Sequence, residues 1–189
     1  MEKGKVIIFS APSGSGKTTL VKWLLEQGLN MYFSISATSR QPRSTEVDGK
    51  DYYFLTPEAF RQKIAEEAFL EWEEVYTDKF YGTLKSEVNR ILDEGKNVLF
   101  DVDVKGGINI KNYFGTQALS VFVKPPSIEE LRNRLDTRGT DSAEIIQERV
   151  DKAAYELTFA PRFDVVVIND VLEDAKKDCL EKVQDFLGL

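Results

Sequence analysis

The stretch that most restricts the fold is Ala11-Pro12-Ser13-Gly14-Ser15-Gly16-Lys17-Thr18-Thr19. The apolar run Val6-Ile7-Ile8-Phe9 precedes it, and a helical pattern with Leu20, Trp23 and Leu24, stopped at Gly28, follows it. A buried strand, a glycine-rich turn and then a helix is the context in which G-K-T reads as a phosphate-binding P-loop. Gly14 and Gly16 let the backbone curl, so that the N–H groups from Ser13 through Ser15 to Thr19 point into one concavity. The helix opening there adds its unpaired N–H groups and its positive end. Lys17 would reach the β- and γ-phosphates of ATP, and the Thr18 hydroxyl would ligate Mg²⁺. The first motif position is Ala11 where glycine is usual, which fits if its φ stays negative.

Such a loop needs an α/β core, and 189 residues suffice for one α/β domain with insertions. No apolar run approaches the roughly 18 residues of a membrane span. Met1-Glu2-Lys3-Gly4 leads straight into a strand with no signal peptide, so a cytoplasmic protein is expected. The chain has no histidine and one cysteine, which excludes a structural zinc site and a histidine-based triad. Cys179 falls on the apolar face of the last helix with Leu172, Ala175, Val183 and Phe186, and reads as core. A net charge of −7 argues against nucleic-acid or membrane-surface partners. It also requires that any site for a polyanion gather its cations locally.

Along the chain, 30–36 reads as a short strand and 37–43 as an irregular loop, because Pro42 and the polar run exclude a regular element. Arg40 and Arg43, three apart in that loop, can form a fork around one phosphate, although two such arginines are more often simply solvated. Asp48-Gly49 signals a turn before a strand at 50–55, and Thr56-Pro57 caps a helix. Phe80-Tyr81-Gly82-Thr83 reads as a turn. The segment 33–83 thus forms a small mixed subdomain inserted into the α/β alternation. A helix near 84–94 leads to the apolar strand from Asn97, which ends in Asp101 and Asp103 where a P-loop fold places Mg²⁺ and phosphates. Ser127 to Glu130 is a capping box opening an arginine-dense helical segment with Arg132, Arg134 and Arg138, and a second helix runs from Ser142 through Arg149. A strand at 164–168, then Asn169-Asp170, then a closing helix complete the chain.

Taken in order, P-S-G-S-G-K-T, S-x-T-S-R-Q-P-R, E-V-D-G-K-D-Y-Y-F, F-L-E-W, Y-G-T, D-V-D, R-L-D-T-R-G-T and V-V-I-N-D resemble the guanylate kinases over nearly the whole chain. The resemblance implies a P-loop NTPase-type parallel sheet flanked by helices, with an inserted GMP-binding subdomain and a mobile helical lid. Its expected partition is core at 1–32, 84–126 and 158–189, GMP subdomain at 33–83 and lid at 127–157. It implies transfer of the γ-phosphoryl of ATP to GMP, and to dGMP as well. Arg40, Arg43, Tyr52 and Tyr81 are expected on the GMP phosphate, and Ser36, Glu71 and Thr83 at the guanine. Of Asp101 and Asp103, one is expected on the GMP side and one at Mg²⁺, in an order the sequence does not set. Arg134, Arg138 and Arg149 are expected at the ATP phosphates and Asn169 at the adenine.

Residue chemistry supports the guanine assignment independently. Guanine presents N1–H and N2–H₂ as adjacent donors, and an ionised carboxylate at Glu71 is acceptor-only and can take both. Adenine would set a lone pair against that carboxylate. Two other readings compete: a kinase for AMP, dTMP or CMP, which Ser36, Glu71 and Thr83 disfavour, and a catalytically inactive guanylate-kinase-like interaction module. The intact Gly16-Lys17-Thr18 disfavours the latter. Oligomeric state has no signature in the sequence.

Overall fold

A computed structural model describes residues 3–139 and 142–189, apart from the side chains of Val75 and Arg138. The chain divides into two compact units, one of Met1–Lys5 with Met31–Val98 and one of Val6–Asn30 with Leu99–Leu189. One five-stranded sheet contains β1 (Val6–Ser10), β2 (Met31–Phe33), β7 (Asn97–Asp101), β8 (Ala118–Lys124) and β9 (Val165–Ile168), in the order β2-β7-β1-β8-β9. β1 pairs parallel with β8, and β8 parallel with β9. All five residues of β1 are buried, as expected of a central strand covered on both faces.

In the second unit, β1 runs into the P-loop and then into α1 (Lys17–Leu25). After β7 comes α4 (Val104–Phe114), which lies close against β1. Gly107 makes that approach possible: a Cβ there would stand 2.5 Å from Ser10 Oγ. α5 (Ile128–Arg138) and α6 (Ala143–Leu157) pack on each other through Leu131, Leu135, Ile146, Val150 and Ala153. Ser127 Oγ accepts the Glu130 N–H at 3.0 Å, the cap expected from the sequence. α7 (Leu172–Leu187) buries Cys179, whose thiol burial pushes up to about 12; it is core, as read.

The first unit carries a second sheet, built from β3 (Ala37–Thr38), β4 (Tyr53–Phe54), β5 (Phe69–Tyr76) and β6 (Lys79–Leu84), in the order β4-β3-β6-β5. α2 (Pro57–Ala65) covers one face, and its Phe60 stacks on Phe69 and Phe80. Ala37, Phe80 and Leu84 complete that core. α3 (Lys85–Asp93) belongs to the same unit, so the unit is wider than 33–83.

Three local expectations are corrected here. Ala37-Thr38, read as loop, is a short strand paired with β4 and β6. The expected strand at 50–55 is limited to Tyr53–Phe54. The segment 80–83, read as a turn, lies in β6; the reversal comes earlier, at Asp78, with φ 61°. Gly82 signals close approach rather than chain reversal, since a Cβ there would stand 2.8 Å from Glu71 O and 2.9 Å from Trp72 Cβ.

Candidate active site

In the second unit the P-loop follows the geometry that its glycines require. Gly14 and Gly16 have φ of 92° and 84°, and Ala11 is not among the residues with positive φ. Gly16 is the N-cap of α1, which has no side-chain cap and no acidic residue in its first turn. The helix start therefore presents unfilled N–H donors and its positive end to the cleft, which suits an anion. Ser13 to Thr19 line a cleft of about 570 Å³ together with Asp101, Val102, Asp103, Arg149, Lys152 and Glu156.

Lys17 Nζ forms an ion pair with Asp101 Oδ1 and donates to Val102 O at 3.3 Å. Asp103 sits two residues on as the N-cap of α4; its Oδ1 accepts the Gly106 N–H at 2.7 Å. One of its carboxylate oxygens is thus committed to holding the helix. Arg149 Nη1 donates to Ser13 Oγ at 3.1 Å, which brings an arginine of α6 onto the P-loop itself. Arg134 instead pairs with Glu130 at 2.9 Å and lines a neighbouring cleft that shares Gly14 and Gly16 with the first. The side chain of Arg138 lies outside the described residues.

Asn169, expected at the adenine, is buried behind the loop, with Nδ2 donating to Ser15 O at 2.8 Å. Its amide overlaps the position a methyl on Gly16 would take. Gly16→Ala is expected to destabilise the unit by about 1–3 kcal/mol, from left-handed backbone strain and this overlap. Urea denaturation checks the stability, and ATP titration should show binding lost in parallel.

Sequence reasoning missed Lys152 and Glu156. They follow Arg149 at i+3 and i+7 on one face of α6, and that spacing was the available signal. Burial pushes the Glu156 carboxyl above its ordinary range, with Asp103 adding to the shift and Lys152 and Lys17 opposing it.

In the first unit, strand register gathers the acceptor residues. Glu71 lies opposite Thr83, and Glu73 opposite Tyr81, so these side chains share the sheet face away from the Phe60 core. Thr83 Oγ1 donates to Glu71 Oε1 at 2.6 Å. The phenol of Tyr81 accepts from Arg40 Nε at 3.2 Å, and the Tyr52 ring stands edge-on to Tyr81 at 6.2 Å. The Arg40 guanidinium lies 5.1 Å from the centre of the Tyr52 ring. Arg43 is exposed, and Ser36 precedes β3, with its carbonyl accepting the Tyr53 N–H at 2.9 Å.

Among the described residues no cluster of three His, Cys, Asp or Glu side chains could hold a metal by itself. Thr18, Asp101 and Asp103 offer only oxygen donors, and few of them. That set fits Mg²⁺, which keeps several waters and shares its shell with substrate phosphates. No helix among the described residues is long and apolar enough to cross a membrane.

The model of one protein family, described as guanylate kinase, matches residues 3–187. A guanylate kinase of Bacteroides fragilis is 60% identical over 187 residues, 99% of this chain and 92% of the relative. One of Salinibacter ruber is 47% identical over 188 residues, covering all of both chains. The crystal structure of guanylate kinase from Anaplasma phagocytophilum superposes with a TM-score of 0.70 at 27% identity, covering 99% of this chain and 88% of that one.

Proposed function

The chain belongs to the guanylate kinase family and has that family's activity, moving the γ-phosphoryl of ATP to GMP; from this premise we propose how its own residues divide the work. The ATP phosphates lie in the P-loop cleft, held by the backbone N–H groups from Ser13 to Thr19 and by Lys17. Thr18 and Asp101 would hold Mg²⁺, which would supply positive charge against the phosphates of the donor. Asp103, with one oxygen fixed in the α4 cap, is assigned to the GMP side through the other. Asn169 serves ATP indirectly by bracing the Ser15 carbonyl. Arg40, Arg43, Tyr52 and Tyr81 take the GMP phosphate, and Glu71, Ser36 and Thr83 read the guanine. The segment 33–83 acts as the GMP subdomain and 127–157 as the lid.

The attacking atom is an oxygen of the GMP phosphate, already anionic at neutral pH. No side-chain base is required, and a chain without histidine lacks nothing for this step. The barrier lies in bringing two polyanions into line, so the protein contributes position and positive charge. Lys17 and Arg149 supply that charge at the donor and Arg40 at the acceptor, while Arg134 and Arg138 complete the lid's set.

The observation that carries this reading is the pairing of Glu71 with Thr83 on the same sheet face as the Arg40–Tyr81 contact. It unites a base reader and a phosphate fork in one unit. ADP release by the purified chain with ATP and Mg²⁺, offered GMP, dGMP, AMP, dTMP or CMP separately, tests it. Rapid turnover is expected with GMP, and to a degree with dGMP. Equal turnover with AMP, or none beyond the rate without acceptor, would overturn it.

A further inference from the structure

We propose that Glu46 is the positioning residue of the acceptor phosphate cradle: a single carboxylate fixes both the guanidinium of Arg40 and the backbone of Arg43 in phosphate-receiving geometry. The inference rests on assigning Arg40, Arg43, Tyr52 and Tyr81 to the GMP phosphate. Arg40 Nη1 donates to Glu46 Oε2 at 2.7 Å and Nη2 to Oε1 at 2.6 Å, a parallel two-point pairing that sets the plane of the guanidinium. Oε2 also accepts the Arg43 N–H at 2.7 Å, and the Glu46 N–H donates back to Arg43 O at 3.0 Å. The loop from Arg40 to Glu46 contains Pro42 and no helix or strand, so no backbone ladder within it holds these two arginines in register.

A count of donors shows what is left for substrate. A guanidinium has five N–H groups. Nε goes to Tyr81 OH, Nη1 to Gln41 O and Glu46, and one N–H of Nη2 to Glu46. The second N–H of Nη2 remains. So does the Tyr81 hydroxyl proton, because a phenol oxygen that accepts from Arg40 keeps its own O–H to donate. Glu46 therefore occupies the far edge of the arginine and leaves donors of the cradle available. The pair is well screened from water, each side chain being 15% exposed. The Arg40 guanidinium and the Arg43 N–H hold the Glu46 carboxyl down at about 2, so it is ionised at neutral pH.

The test is titration of GMP and of guanosine, which lacks the phosphate, against the intact chain and its Glu46→Gln, Arg40→Ala and doubly substituted forms. Glu46→Gln is expected to weaken GMP on the order of 10-fold, the scale of a charge-assisted bidentate contact, while guanosine binding stays unchanged and certifies the fold. At saturating GMP, kcat should stay within about threefold and KM for ATP should not move. In the Arg40→Ala background the Glu46 change should cost less than in the intact chain, leaving only the share carried through Arg43. Tighter GMP binding by Glu46→Gln would make the carboxylate a competitor of the phosphate and overturn the proposal. Equal weakening of GMP and guanosine, or no change in either, would overturn it as well. If Arg40→Ala itself leaves GMP binding intact, the phosphate assignment fails, a result distinct from failure at Glu46 alone.

Discussion

Arg149→Ala is expected to lower kcat on the order of 10³-fold, the cost of losing an arginine that meets the transferring phosphoryl group, while Kd for GMP stays where it is. Arg149 is singled out among the arginines of α5 and α6 because its Nη1 already reaches Ser13 on the P-loop and its side chain lines the cleft that contains Lys17. Arg134 is tied to Glu130 one helical turn away, and its replacement should cost less. Arg149→Lys keeps the charge but not the planar fork, so it should restore only part of the rate. Steady-state kinetics together with GMP calorimetry separate the outcomes. A collapse of GMP affinity with kcat preserved would remove Arg149 from the donor side.

The second large effect is expected at Glu71. A site built around hydrogen-bond donors rejects a ligand lacking them by roughly 10⁴-fold, and on the proposed assignment the acceptor for guanine's two donors is one carboxylate. Hydrogen bonds to a charged group are worth about 1.5–3 kcal/mol each. Glu71→Gln removes the charge from both and turns one acceptor into a donor, so the ratio of kcat/KM for GMP over AMP should fall by about 10²- to 10³-fold. KM for ATP should not respond. Thr83 sharpens this expectation, because its hydroxyl donates to Oε1 and fixes the carboxylate's rotation against the strand. Thr83→Val, which removes that donor at similar volume, should reproduce part of the loss. An unchanged GMP-to-AMP ratio in Glu71→Gln would remove the carboxylate from base recognition.

The geometry of the P-loop was legible in the sequence because it is local. Strand, glycine turn, lysine and helix are consecutive, and each residue's role follows from its neighbours: φ at Gly14 and Gly16, the uncapped start of α1, and the cap at Ser127. The side-chain grouping in the first unit depends on strand register. Glu71 meets Thr83 only through the β5–β6 hairpin, and Gly82, which permits the close crossing, looks in the sequence like an ordinary turn residue. Side-chain partnerships across the chain were hidden for the same reason. No spacing rule reveals that Asn169 holds Ser15, 154 positions away. Glu46 was within reach, as an acid three residues after Arg43, but its hold on Arg40 requires the loop to fold back. Family resemblance supplied roles for Arg134 and Arg149 alike, and only geometry distinguishes the one beside the cleft's lysine from the one in the cleft next door.

The lysine of the P-loop is engaged by an aspartate. An incoming ligand that brings only negative charge can satisfy Lys17 only by stranding Asp101, and one that brings only positive charge does the reverse. A single species bearing both signs, a polyphosphate with its divalent counterion, lets the two residues part company without leaving either bare. On the proposed assignment of Lys17 to the phosphates and Asp101 to Mg²⁺, the pair would favour the metal-laden nucleotide over either ion alone.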